Sequence, residues 1–259
     1  MGVVIVVGLA LLALLQFMPL NMQGARFLQE KIELSLQPTA ARAYGFGLGH
    51  FSSSDTAAHN VDYAEYFFRR AIALDPAYPF AHQQLARILF LRADFTDAIT
   101  EINAEIALQG DANPSAFYIR GLIEGYQGSY GSASKDYEHF LSLKPDSWAG
   151  YNDYAWVLLK SKQFHTAAKA LGKGLRQFPG NPWLLNSFAT ALYEIGDVPG
   201  AKIAGQQALT AASALTESDW IKAYPGNDPR IAATGLATFK NAVRDNLAMI
   251  MDAGATSTR

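Results

Sequence analysis

The chain contains no cysteine, which excludes disulfides, thiol nucleophiles and thiolate metal ligands. Charge is sparse as well: 17% of the 259 residues are charged and the net charge is −2. A balance so near zero creates no field to gather nucleic acid, so no nucleic-acid partner is expected. Histidines are few. His50, His59, His82, His139 and His165 stand singly, with no pair at ligand spacing on one helix. Gly45-Phe46-Gly47-Leu48-Gly49 lacks the following Gly-Lys-Ser/Thr of a phosphate-cradling loop, and no strand precedes it. Ser52-Ser53-Ser54 has no general base nearby in sequence. Asp94 and Asp97, or Glu101 and Glu105, read as solvated carboxylates on helix faces. No catalysis, metal or cofactor is therefore expected.

What is present is apolar and periodic. Half the residues are hydrophobic, enough for a sizeable core. In Trp148–Asn181, Tyr151, Tyr154, Ala155 and Leu158 recur at helical spacing and define one apolar stripe. Lys162-Gln163 breaks it, Ala167, Ala168, Leu171 and Leu175 define a second, and Pro179 stops that. Two such short helices cannot bury both faces alone, so the unit makes sense only if copies stack beside it.

The copies are present. A shift of 34 residues carries Ala155, Lys162, Ala167 and Pro179 onto Gly121, Gly128, Ala133 and Pro145, and the opposite shift reaches Ala189, Gly196, Ala201 and Ser213. Upstream, Ala86, Ala93, Ala98 and Gly110 fit with one extra residue before the next unit, and Ala64, Phe68, Ala71 and Pro76 form a further half-unit. Small residues where helices cross, an aromatic opening the second helix (Tyr130, Phe164) and a closing Asp-Pro, Lys-Pro or Phe-Pro together resemble the tetratricopeptide repeat (TPR) family. The likeness runs from about Gly45 to Leu215. It departs from the pattern at Gly45–Asp55, which reads as a broken helix and loop, and at Glu105, where a small residue is usual.

The resemblance implies an all-α, right-handed solenoid with units at about 45–78 (degenerate), 79–113, 114–147, 148–181 and 182–215. The packing positions are Ala64, Ala86, Ala98, Gly121, Ala133, Ala155, Ala167, Ala189 and Ala201. In such repeats the first helix of each pair lines a concave groove that binds peptides or partner proteins. One helical step from the buried stripe lie Gln83, Gln84, Arg87 and Phe90 in one unit, and Tyr118, Leu122 and Tyr126 in the next. Asn152, Asp153, Trp156 and Lys160 follow, then Asn186, Thr190 and Tyr193. Rings supply contact area at low entropic cost, and side-chain amides both donate to and accept from a peptide backbone. Only Arg87 and Lys160 are cationic, which disfavours a clamp for C-terminal carboxylates.

The ends add further expectations. Val3–Leu20 carries twelve Val, Leu, Ile and Phe residues without a charge, contributing about −4 to −7 kcal/mol toward membrane insertion. A retained anchor over residues 1–22 is favoured. A cleaved signal peptide, a buried core helix and the last span of a larger protein are the alternatives, and no Lys or Arg precedes the run. Arg26, Lys31 and Arg42 lean weakly toward a cytoplasmic repeat domain. Residues 23–44 read as a juxtamembrane helix and linker, with Phe27, Leu28 and Ile32 in the membrane interface or against the first repeat. Ser54 or Asp55 is a suitable cap for the helix ending at Leu74. Residues 216–228 read as a linker with turn chemistry at Pro225-Gly226-Asn227. Residues 229–252 form a helix striped by Ala232, Leu236, Phe239, Val243, Leu247 and Ile250, which caps the last repeat or mediates self-association, and 253–259 are a frayed tail.

The functional expectation is a membrane-tethered, non-catalytic adaptor that binds a partner protein or peptide in the groove and the bilayer through residues 3–20. An accessory repeat region of a larger cell-envelope membrane enzyme, of the polymerase or ligase type, is the alternative. An exported soluble repeat protein is another. RNA binding by the array is opposed by the charge balance.

Overall fold

The computed structural model describes residues 22–52 and 55–256, and every regular element among them is helical. The chain divides into two compact units, Met1–Ala81 and His82–Arg259. One expectation is corrected at once. No helix among the described residues is long and apolar enough to cross a membrane. The run at 3–20 that suggested a membrane-anchored localisation lies outside them, and that localisation is not carried forward.

The first unit holds α1 (Met22–Leu36), α2 (Ala40–Phe51) and α3 (Val61–Leu74). The glycine-rich stretch expected as a broken helix is helical through Phe51. Thr39 starts it, its hydroxyl accepting from the Arg42 N–H. Gly47 then lets α2 close on α3: a Cβ there would stand 2.6 Å from Cε1 of Phe68. The cap of α3 is Asn60, not Ser54 or Asp55, because its side chain reaches the Tyr63 N–H at 3.0 Å. Phe27 of α1 stacks on Tyr63 of α3 with centroids 3.9 Å apart, which fixes α1 against the repeat. His50 is buried, with Nε2 2.6 Å from Glu30 Oε2 and Nδ1 3.2 Å from the Ala58 carbonyl. It is a partnered packing histidine.

The second unit is a run of helix pairs: α4 (Ala81–Leu91) with α5 (Phe95–Gln109), and α6 (Pro114–Tyr126) with α7 (Tyr130–Leu143). There follow α8 (Trp148–Lys160) with α9 (Phe164–Gln177), and α10 (Pro182–Glu194) with α11 (Val198–Ser213). The starts of the last three pairs recur at the 34-residue interval. The extra residue of the earlier unit is absorbed in a 3₁₀ turn at Gly110–Ala112.

Backbone conformation repeats with the sequence. The link inside each pair passes through positive φ at Ala93 (58°), Gly128 (83°), Lys162 (60°) and Gly196 (87°). Two of these four are glycine, which adopts that region freely, while Ala93 and Lys162 bear a cost that the neighbouring helices must offset. Asp94, Ser147, Asn181 and Asp197 then cap α5, α8, α10 and α11 by accepting from a backbone N–H three residues on.

The small residues lie where helices cross. Ala86, Ala98, Ala133, Ala155, Ala167 and Ala201 have no exposed surface, and Ala189 is 1% exposed. Ala64 in the first unit is equally enclosed. A Cβ on Gly121 would meet the Tyr137 ring at 3.2 Å and the Ala133 carbonyl at 3.3 Å. Around these crossings Tyr137, Tyr151, Leu158 and Leu171 fill one continuous core.

Glu105 departs from its expected solvation. It is fully buried, its carboxylate accepting from the Gln83 N–H at 3.3 Å and the Asn113 amide at 3.1 Å. Asn113 also donates to the Gln83 side-chain oxygen at 2.9 Å. A charge without such donors would cost several kcal/mol inside a protein, so the network is what permits it there.

The segment expected as a linker contains α12 (Glu217–Ala223), opened by a reciprocal capping box between Thr216 and Asp219. After a 3₁₀ turn at Pro229–Ile231 comes α13 (Ala232–Thr256), which packs on α11 and α10. Its stripe is used within the chain: Ala232, Leu236, Val243, Leu247 and Ile250 are buried. Lys240 Nζ donates to the Ser213 and Leu215 carbonyls, tying down the end of α11.

Two outcomes are expected. Ala155→Leu or Ala167→Leu overpacks a crossing and costs about 1–3 kcal/mol in urea unfolding; an unchanged midpoint would place the crossings elsewhere. The second concerns Glu124 on α6, whose carboxyl is pushed up to about 7, by burial first and by the charge of Asp136 second, against Arg120. A raised carboxyl favours the folded state when protonated. Its contribution is thus complete below the ordinary value of 4.5 and lost as pH rises through about 7. Glu124→Gln should flatten the fall in melting temperature across that window and raise it at pH 8.

Candidate protein-interaction groove

The first helices of successive pairs, α4, α6, α8 and α10, present two rows of side chains. One row is aromatic and runs along their C-terminal ends. Phe90 meets Tyr126 edge-on with centroids 5.1 Å apart, and Tyr126 meets Trp156 at 5.1 Å. Trp156 is seated because Gly125 leaves room: a Cβ there would stand 2.6 Å from Cζ3 of the indole. Tyr126 remains 59% exposed, and Lys160 is exposed beyond it.

The second row is polar and runs through the middle of the helices. The Tyr118 hydroxyl donates to Asp153 Oδ2 at 2.5 Å, and the Asn152 amide donates to Asp153 Oδ1 at 3.1 Å. Ser187 of α10 donates to Asn152 Oδ1 at 2.9 Å. The Tyr118–Asp153 and Ser187–Asn152 contacts join residues 35 apart, the repeat interval plus one residue, so the stacking of repeats assembles the row. Burial raises the Asp153 carboxyl, with Tyr118 and Asn152 lowering it in part. Burial, then the Asp153 charge, pushes the Tyr118 hydroxyl well above its usual range, and Tyr126 rises for the same two reasons. At the α4 end, Gln84 is nearly enclosed and its oxygen accepts from Arg87 Nη1 at 2.8 Å, aiming the guanidinium.

Not every expected groove residue lies open. Gln83 is turned into the interior by Glu105 and Asn113 and leaves the groove. Asn186 accepts from Asn246 of α13 at 3.1 Å, and Tyr193 packs in the cluster that holds Ile250, so the last unit is covered by the C-terminal helix. Thr190 is half-buried and donates to the Asn186 carbonyl of its own helix. Leu122 is half-buried. Three participants escaped the sequence reading: Ser187, Trp183, stacked between Trp148 and Phe239 at 4.9 and 5.0 Å, and Tyr224. Trp220 and Tyr224, two large aromatics within residues 216–228, mark that segment as packed rather than as a linker. A separate apolar recess of about 830 Å³ lies along α9, α10 and α11, with Leu185, Phe188, Leu192 and Ile203 in its lining.

Among the described residues no group of three or more carboxylates and histidines is placed to hold a metal. No family model matches the chain. The solved TPR protein YrrB, described as having an unusual peptide-binding site, is 13% identical, with a TM-score of 0.57 over 71% of this chain and 93% of that one. PilF of Pseudomonas aeruginosa is 19% identical, with a TM-score of 0.59 over 82% and 88%. Yeast Tom70 gives 18% and 0.56 over 86% of this chain and 50% of its own. The fold is that of a TPR solenoid. Protein FlbA of Caulobacter vibrioides is 26% identical over 168 residues, 63% of this chain. The match spans only 28% of that protein's length.

Tyr118→Phe removes the donor to Asp153 Oδ2 and should cost about 1–3 kcal/mol, since a buried carboxylate loses a partner. A double-mutant cycle with Asp153→Asn in urea should show the two costs to be strongly coupled; strict additivity would mean the bond is not made.

Proposed function

We propose that this TPR solenoid is an interaction scaffold that holds an extended segment of a partner protein along the first helices of its repeats. The observation that carries this is the aromatic row Phe90–Tyr126–Trp156, whose middle ring is 59% exposed beside an ordered polar row. A solvent-facing ring held by two neighbours offers area without a further entropic cost on binding. The polar row offers hydrogen-bonding groups already fixed in place, which favours a peptide backbone over a freely moving small molecule. The peptide-binding site named for YrrB lends support by analogy of fold. The reading needs no catalytic step.

The test uses benzoylphenylalanine placed at Phe90 to capture the partner in cells, with an outward-facing control at Ser132 of α7. A discrete adduct is expected from Phe90 and none from Ser132. Tyr126→Ala combined with Lys160→Glu should then weaken the captured partner roughly 30-fold, as for loss of a hot-spot ring worth about 2 kcal/mol, with helicity unchanged. Identical adducts from both faces, or undiminished binding by the double variant, would remove the groove from the function.

A further inference from the structure

A turn of the chain itself lies against Arg87 of α4 and Trp183 of α10. Arg87 Nη2, on the first helix of the array, donates to the carbonyl of Pro225 at 2.5 Å, a contact across 138 residues. Tyr224 meets the edge of Trp183 with centroids 6.3 Å apart and packs on Trp220 at 4.2 Å. Tyr224-Pro225-Gly226-Asn227 is a hydrogen-bonded turn, its Asn227 N–H reaching the Tyr224 carbonyl at 3.2 Å and Gly226 at φ 93°. Proline at the second position and a positive φ at the third are the requirements of a type II turn. Behind the turn, Trp220 lies over Gly235 of α13, where a Cβ would stand 2.5 Å from the indole.

Resting on the scaffold reading above, we propose that the groove recognises an aromatic–Pro–Gly turn, and that the chain's own Tyr224-Pro225-Gly226 is a resident occupant which a partner segment of the same chemistry must displace. The recognition has three parts: a tyrosine against the edge of Trp183, a turn that presents its proline carbonyl, and Arg87 to donate to that carbonyl. Burial first, then the Asp153 charge, pushes the Tyr224 hydroxyl up to about 12.

The occupant is built to leave. α12 is seven residues long and contributes no fully buried side chain, and Pro225 is exposed. A segment with so few buried contacts opens at far lower cost than the repeats beneath it. Its departure frees Arg87 and the edge of Trp183 that Tyr224 meets. A partner's apparent affinity is then reduced by the fraction of chains in which the turn is docked.

The test is an anisotropy titration of a fluorescein-labelled peptide of residues 217–229. It is added to the full chain, to Tyr224→Ala/Pro225→Ala, and to a Trp220→Cys/Gly235→Cys chain, which keeps Arg87, Tyr224 and Pro225, closed by a short bismaleimide between α12 and α13. The absence of native cysteine makes that closure specific. The released variant is expected to bind at least tenfold more tightly than wild type, and the closed chain not at all. Arg87→Ala in the released background should abolish binding. Equal affinity in all three chains, or no binding by the released one, overturns the proposal. The closed chain retains Tyr224 and Pro225, so it decides the matter even if the released variant folds poorly. Should the Phe90 crosslinker capture a partner equally from wild type and released chains, the scaffold reading stands and the resident occupant falls. If the peptide behaves as expected and no partner is captured, the reverse holds.

Discussion

Two helices approach only as closely as the side chains between them permit, and in this chain the closeness is set by Gly121, Ala155 and Ala189 on the inner helices and Ala133, Ala167 and Ala201 opposite them. Each is enclosed completely or almost so. That approach fixes the pitch of the array, and the pitch places residues of neighbouring first helices within reach of each other. The 5.1 Å ring spacings of Phe90–Tyr126–Trp156 and the bonds from Tyr118 to Asp153 and from Ser187 to Asn152 follow from it. Glycine at 125 adds a place where the Trp156 indole sinks between helices.

The proposed groove carries little charge. The chain's net charge of −2 leaves long-range steering weak, so selection must come from short-range geometry. Asp153 illustrates the consequence. Its carboxyl is desolvated and held by Tyr118 and Asn152, and no cation is among its hydrogen-bond partners. An arrangement of this kind favours ligands that complete hydrogen bonds and fill a ring site. Tyr224 and the turn that follows it, proposed above as a resident occupant, offer groups of that kind.

Much of this was legible in the sequence. The interval of 34, the enclosed alanines, the turn positions at Ala93, Gly128, Lys162 and Gly196, and the stripe of the last helix all derive from residues close together in the chain. The misreadings share a cause. Gly45–Asp55 reads as a broken helix and loop because it is rich in Gly and Ser, yet the helix runs through Phe51 and Gly47 admits Phe68, whose position is a tertiary fact. Glu105 was assigned to solvent and Gln83 to the groove because their partner Asn113 is bound to neither by any local pattern. The membrane-anchored localisation rested on apolarity alone over residues 3–20, and no helix among the described residues supports a span.

The sequence by itself determined the period, the crossings, the caps and the two rows' raw composition, because helical propensity, side-chain size and capping act over a few residues. Only the tertiary structure decided which members of those rows face one another, which are claimed by α13, and that Pro225 meets Arg87. A contact across 138 residues has no local signature. It exists because the stacking of helices in the second unit brings distant segments of the chain side by side.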